Sequence, residues 1–243
     1  MFGQIMSRLA LITGGTRGIG AAISREFHNK GYRVVATYSG NKDAALKFRT
    51  DTGIATIQFD VSDEKACSNG IKHITDEHGI IDILVHNAGI TADATLRKMT
   101  SNDWHRVIHT NLNSCFYLTQ AVLEGMIQRN FGRLIYVSSV NGLKGQRGQS
   151  NYAASKAALV GFAKSVALEI ATKGITANVI APGYVDTEMV RAVPESVLEK
   201  IISTIPVGRL GTAEEIAYCV SFLADEKAGF MTGAILSENG GMY

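Results

Sequence analysis

Proline, cysteine and tryptophan are all scarce, at three, three and one among 243 residues. The cysteines, Cys67, Cys115 and Cys219, are odd in number, far apart and free of any C-x-x-C spacing, which excludes a disulfide framework and a cysteine-built zinc finger. Reduced thiols in a cytoplasmic protein are the expectation. The prolines, Pro182, Pro194 and Pro206, fall in the last third, so no proline-rich linker divides the chain and a single domain is expected. No stretch approaches the roughly 18 apolar residues of a membrane span, and Met1 to Ser7 lacks the basic-then-apolar signature of an export leader. A formal net charge of +2 gives no field that would gather nucleic acid or an anionic membrane, so neither is expected as a partner.

What is present is an ordinary packed-core composition, 46% apolar and 19% charged. Short apolar runs recur between helical segments: Leu9 to Thr13, Arg33 to Thr37, Ile54 to Phe59, Ile83 to His86, Leu134 to Ser138, Thr176 to Ile180 and Ala234 to Leu236. These runs do not alternate apolar with polar, as strands covered on both faces should not. Strand and helix in repetition, with right-handed crossovers, predict an α/β fold with a three-layer, doubly wound parallel sheet. Gly183 to Gly211 breaks that rhythm just past a strand end, where doubly wound sheets bind ligands, so residues 184–210 read as a substrate lid.

Directly after the first run comes Thr13-Gly14-Gly15-Thr16-Arg17-Gly18-Ile19-Gly20, then a helix expected from about Ala21 to Asn29. Strand, glycine turn and helix in that order let backbone N–H groups and a helix N-terminus hold a pyrophosphate. The second run ends Ala36-Thr37-Tyr38-Ser39-Gly40, with no carboxylate where an NAD site sets Asp or Glu against the ribose 2′-hydroxyl. With Arg17, helped by Lys42, available to pair with a 2′-phosphate, NADP(H) is the expected cofactor.

Tyr152 and Lys156 are four residues apart, which puts them on one face of a helix. Tyr38 and Lys42 share that spacing, so it is weak by itself. The later pair is distinguished by Ser139, thirteen residues upstream at a strand end and joined to it by the glycine-rich stretch Gly142 to Gly148; the matching place before Tyr38 holds Arg25. Ketone reduction needs a hydride and a proton for the developing alkoxide, and a tyrosine hydroxyl supplies the proton. A neighbouring ammonium and an oxidised nicotinamide would lower its pKa from about 10 by two or three units, roughly 3 to 4 kcal/mol of stabilisation. Ser139 would hydrogen-bond the carbonyl oxygen and hold it beside Tyr152.

Together, Thr13-Gly14-x-x-x-Gly18-x-Gly20, Asn87-Ala88-Gly89, Asn111, Ser139, Tyr152-x-x-x-Lys156 and Pro182-Gly183 resemble the ordered motifs of short-chain dehydrogenases/reductases over essentially the whole chain. The resemblance implies a Rossmann-like fold and cofactor contacts from Gly14, Arg17, Gly18, Ile19, Gly20, Asp60, Val61, Asn87, Ala88, Gly89, Tyr152, Lys156, Pro182, Gly183 and Thr187. It implies a catalytic set of Asn111, Ser139, Tyr152 and Lys156, with Asn111 holding a water of a proton relay and Lys156 gripping the nicotinamide ribose. It also implies a homotetramer built on long helices near Ser101 to Met126 and Ala153 to Ala171. On the residues alone, Asn111 reads equally as a polar interruption of a helix, and Asp60 as a turn former before the helix near Asp63.

Two sets of residues point to a 3-oxoacyl thioester substrate and a (3R)-3-hydroxyacyl thioester product. Ala181 to Met189 and the ending Asn239 to Tyr243 are similar to 3-oxoacyl-[acyl-carrier-protein] reductases of fatty-acid synthesis, which gives the main expectation. Ser138 to Tyr152, with Leu96 to Thr100 and Ile205 to Val207, is similar to acetoacetyl-CoA reductases of polyhydroxybutyrate synthesis, the alternative; Arg147 stands where that group tends to carry an aromatic residue. Ser139, Gln146, Gln149 and Tyr184 are the expected substrate contacts, and Arg129, Lys144, Arg147, Lys173 and Arg191 are basic groups for the phosphates and carboxylates of acyl carrier protein or CoA. His105 and His109 have the spacing of a helical metal pair but lack a third ligand, so no metal is expected. His86 reads as a packed strand-end histidine. Remoter readings are a sugar, polyol or steroid ketone reductase and an NADPH-sensing regulator without turnover.

Overall fold

Continuous apolar runs can be buried on both faces only in a sheet with helices on either side, and seven parallel strands form one here. The computed structural model describes residues 7–191 and 194–243; Met1 to Met6 and, within the expected lid, Ala192 and Val193 lie outside the described residues. In chain order the elements are β1 (Leu9–Ile12), α1 (Gly18–Asn29), β2 (Arg33–Tyr38), α2 (Lys42–Thr52), β3 (Ala55–Gln58), α3 (Glu64–His78), β4 (Ile83–His86), α4 (Ser101–Ile108), α5 (Ser114–Arg129), β5 (Gly132–Val137), α6 (Val140–Lys144), α7 (Ser150–Ile170), β6 (Ile175–Pro182), α8 (Glu188–Arg191), α9 (Glu195–Ser203), α10 (Ala213–Ala224) and β7 (Ile235–Glu238). The strands lie in the order β3-β2-β1-β4-β5-β6-β7. Build-up of the sheet reverses between β1 and β4, which opens a crevice at their carboxyl ends.

Side chains alternate between two apolar layers. Leu9 and Leu11 of β1 and Leu134 and Tyr136 of β5 pack with α3, α5 and α7, through Ile74, Leu118 and Leu159 among others. Ala10, Ile12, Ile135 and Val137 face the opposite layer, where α1, α2 and α10 contribute Phe27, Phe48 and Val220. The three-layer, doubly wound Rossmann-like sheet is therefore as the sequence implies. Among the described residues no helix is long and apolar enough to cross a membrane.

Several element boundaries differ from expectation for local reasons. α1 begins at Gly18, earlier than Ala21, with Gly18 at φ 51°, a left-handed value that glycine tolerates. The stretch after Ser139 opens with the short helix α6, because the Ser139 hydroxyl caps it by accepting the Asn141 N–H at 3.1 Å. Ser101 to Met126 is not one helix: His109–Asn113 forms a π-helical turn between α4 and α5. β6 runs to Pro182, past the expected Ile180.

Candidate active site

The carboxyl ends of β1, β2, β4, β5 and β6 border one cleft of about 1230 Å³, larger than the usual drug-sized pocket and roomy enough for a dinucleotide beside a substrate. Its floor is the turn between β1 and α1. A Cβ on Gly20 would lie 2.2 Å from the Gly14 carbonyl oxygen and 2.5 Å from Asn87 Nδ2, so only glycine lets the turn close this tightly. Thr13 and Asn87 tie β1 to β4. The Thr13 hydroxyl accepts from the backbone N–H groups of Asn87 and Ala88, both at 3.0 Å, and Asn87 Nδ2 donates to the carbonyls of Thr13 at 2.9 Å and Gly14 at 3.2 Å. Asn87 is thus occupied in holding two strand ends together, and Ala88 and Gly89 follow it along the cleft wall.

α1 offers its first-turn N–H groups to this cleft with no side-chain cap at Arg17 and no acidic residue in the first turn. Such a terminus fits an anionic pyrophosphate. Ile19 borders the same wall, and Thr187 faces Gly18 from the far side, its methyl 3.9 Å from where a Gly18 Cβ would stand. Arg17, Ser39 and Asn41 surround the end of β2, whereas Lys42 starts α2 and is not part of the wall. Asp60 and Val61 sit beside them; one oxygen of the Asp60 carboxylate accepts from the backbone N–H and hydroxyl of Ser62 at 2.9 and 2.8 Å, so Asp60 forms the turn and also lines the cleft. Pro182 and Gly183 close the side at β6, where a Gly183 Cβ would meet Asn239 Cα at 2.9 Å.

Ser139, Tyr152 and Lys156 meet at the centre of the same wall. β5 delivers Ser139 and the first turns of α7 deliver the other two. α7 is pinned to β5 by the Ser138 hydroxyl, which donates to the Lys156 carbonyl at 2.8 Å, and by Gly142, whose Cβ would lie 2.8 Å from Lys156 backbone. Lys156 Nζ donates to the Val137 carbonyl at 2.7 Å and lies 5.7 Å from the centre of the Tyr152 ring. Burial pushes Lys156 down to about 8. Burial raises Tyr152 above the usual phenol value, hydrogen bonding with Ser139 draws it back, and Asp93 pushes it up again. For the protein alone, desolvation thus outweighs the lowering effect of Ser139 at Tyr152; the lowered value expected from the sequence concerns the site with an oxidised nicotinamide beside Lys156.

Asn111 sits in the π-helical turn, buried, with both amide hydrogens and the amide oxygen of its side chain engaged by neighbouring protein groups. Its Oδ1 accepts from the Ile90 N–H at 2.8 Å, and its Nδ2 donates to the Ile90 carbonyl at 3.0 Å and the Ser155 hydroxyl at 3.1 Å. A Cβ on Gly89 would stand 3.3 Å from Asn111 Oδ1 and 3.4 Å from Lys156 Nζ, so Gly89 keeps the space between them open. Asn151, which sequence reading passed over, is fully buried and spans α7, the loop after β4 and α4, donating to the carbonyls of Ala92 at 3.0 Å and Asp103 at 3.3 Å. Its only sequence signal is an asparagine beside Tyr152.

Gln149 and Tyr184 line the cleft, whereas Gln146 is exposed outside it. The basic groups divide. Arg129 pairs with Asp82 at 3.2 Å at the amino end of the sheet, and Lys173 lies two residues before β6 at that end, so neither faces the cleft within the chain. Arg191 is held by Asp186 at 2.7 and 2.8 Å, Lys144 and Arg147 are exposed, and Arg106, unread in the sequence, borders the cleft. His105 and His109 stand on that same rim with ring centres 6.4 Å apart. His86 is a packed strand-end residue: it stacks on Tyr136 at 4.8 Å and hydrogen-bonds Thr119 at 3.1 Å, and burial beside the positive Lys156 pushes it down to about 3.

A dinucleotide-shaped cleft at the switch point of a parallel sheet, with serine, tyrosine and lysine on its wall, defines an oxidoreductase of the short-chain dehydrogenase/reductase class. The chain belongs to that family: a family model described as enoyl-(acyl carrier protein) reductase matches residues 14–243. It is 56% identical over 239 residues to the acetoacetyl-CoA reductase of Shinella zoogloeoides, covering 98% of this chain and 99% of the relative. It is 45% identical over 241 residues to the acetoacetyl-CoA reductase of Cupriavidus necator, covering 97% and 98%. It is 43% identical over 237 residues to the 3-oxoacyl-[acyl-carrier-protein] reductase of Escherichia coli, covering 97% of each.

Proposed function

We propose that this enzyme reduces the ketone of acetoacetyl-CoA with NADPH, giving a (3R)-3-hydroxyacyl thioester, in the cytoplasm. The single observation that carries the chemistry is the convergence of Ser139, Tyr152 and Lys156 on the wall of the dinucleotide-sized cleft. The choice of carrier rests on the greater identity to acetoacetyl-CoA reductases than to the acyl-carrier-protein enzyme, which puts the CoA reading ahead of the fatty-acid reading favoured by the sequence alone.

The cofactor, when bound, supplies the hydride. The Ser139 oxygen already accepts the Asn141 N–H, so the hydroxyl is left to donate, toward Tyr152 at rest and toward the ketone oxygen when substrate enters. Tyr152 donates its phenolic proton to that oxygen as it becomes an alkoxide, and Lys156 replenishes the proton, while Asn111 keeps the wall beside Lys156 in place through Ile90 and Ser155. Arg17 just before α1 and the absence of a carboxylate at Thr37 to Gly40 favour a 2′-phosphate. Ser139, Gln149 and Tyr184 hold the acyl thioester, and residues 184–210, attached through the pairing of Val185 with Gly211 and carrying α8 and α9, close over it. Exposed apolar side chains on the long helices, Phe116 of α5 and Leu168 of α7, favour burial against further copies in a homotetramer, which light scattering should report as a mass of about four chains.

The deciding experiment follows NADPH consumption with acetoacetyl-CoA and with acetoacetyl-acyl carrier protein. Higher catalytic efficiency with the CoA thioester, and a preference for NADPH over NADH of about tenfold or more, are expected. Turnover of neither thioester would sink the proposal; a preference for the carrier protein would restore the fatty-acid reading.

A further inference from the structure

Gln149 occupies the cap position of α7, yet its side chain makes no capping bond. Its amide is stretched instead between helix α6 and the loop after β4. Asn141 Nδ2 donates to Gln149 Oε1 at 3.0 Å, and Gln149 Nε2 donates to Asp93 Oδ2 at 2.8 Å. A carboxylate accepts only, so Asp93 fixes which end of the Gln149 amide is nitrogen; Asn141, turning its nitrogen toward the other end, agrees with that choice. The loop after β4 is also tied to the stretch just before α7 by the Ala94 N–H, which donates to the Gly148 carbonyl at 2.9 Å.

Asn141 holds this orientation at a disadvantage to itself. It is 7% exposed, and its Oδ1 is buried with no hydrogen-bond partner among the described residues. Orphaned buried acceptors are rare in folded proteins because desolvation goes uncompensated. The reverse orientation would set its oxygen against Gln149 Oε1, so donation to Gln149 decides the matter. The same residue's backbone N–H serves Ser139 at 3.1 Å. One asparagine therefore links the hydroxyl that meets the ketone with an amide farther along the cleft wall.

We infer that Asn141 is a positioning residue which, opposite Asp93, locks the Gln149 amide so that its remaining N–H is offered to the second carbonyl of the substrate, the thioester oxygen. A 3-oxoacyl thioester carries two acceptors separated by one methylene; Ser139 and Tyr152 engage the ketone, and a donor of fixed direction selects for the other. This rests on the thioester reading above, and deepens it from a substrate class to the group that recognises it.

The test is a kinetic cycle on the whole enzyme with Asn141→Ala, Gln149→Ala and the double variant. Each single change should raise KM for acetoacetyl-CoA by about tenfold with KM for NADPH little altered, and the double variant should be no worse than Gln149→Ala alone. Independent effects, multiplying to about a hundredfold, would overturn the inference. A second pair of changes, Asp93→Asn with Asn141→Asp, rebuilds both hydrogen bonds with every donor reversed. Melting temperature should return to that of the wild type while KM for acetoacetyl-CoA stays high; recovery of KM would show that direction is irrelevant. Should the reversed pair not fold, the alanine cycle decides alone. No turnover by the wild type would take the thioester reading down and this inference with it, whereas an active wild type with uncoupled variants rejects the inference only.

Discussion

Tyr152→Phe should lower kcat for ketone reduction by about a thousandfold, within the span that a positioned general acid contributes. The phenyl ring fills the same space at the start of α7, and the backbone N–H of residue 152 still donates to Asn151 Oδ1 at 2.7 Å, so melting temperature and NADPH affinity should change little. Loss of rate with binding intact is the signature of a group that acts in the transition state and not in the ground state. Single-turnover measurement under saturating NADPH separates the two; a kcat within about tenfold of the wild type would remove Tyr152 from the proton-donating role.

Reduction should also fade as pH rises through about 8, where the buried Lys156 loses its proton. The sign follows from burial. An ammonium deprived of water releases its proton earlier than an exposed lysine, so Lys156 is charged below about 8 and neutral above it. The charged form favours phenolate at Tyr152 and replenishes its proton; the neutral form does neither, and catalytic efficiency should fall about tenfold for each pH unit beyond the transition. A profile that stays flat from pH 7 to about 10 would contradict this, since it would leave no titrating partner for Tyr152.

The sheet was legible because a strand covered on both sides needs an apolar run, which β1 is throughout and which β4 and β5 contain in Ile83 to Val85 and Leu134 to Val137. The glycine turn and Ser139, Tyr152 and Lys156 were legible because their spacing along the chain fixes their relation once strand and helix are granted. Other features left no local trace. The π-helical turn at Asn111 follows from packing against Ile90 and Ser155, residues 21 and 44 positions away. Asn141 and Asn151 act through partners drawn from a separate loop, such as Asp93 beyond Gln149 and Ala92, which periodicity does not reveal. Charge alone misdirected the reading of Arg129 and Lys173, because a list of basic residues does not distinguish the two ends of a sheet. Lys173, two residues before β6 begins, could have been assigned to the amino end from strand direction.

α9 adds nothing to either apolar layer, for none of its residues is buried. Its detachment would uncover little greasy surface, which sets it among the cheapest local openings available to the molecule. Val197 and its neighbours on that helix are therefore free to mutate without loosening the sheet. Ligand taste can drift from one descendant to the next through this peripheral piece, while the proton-handling groups stay bolted to β5 and α7.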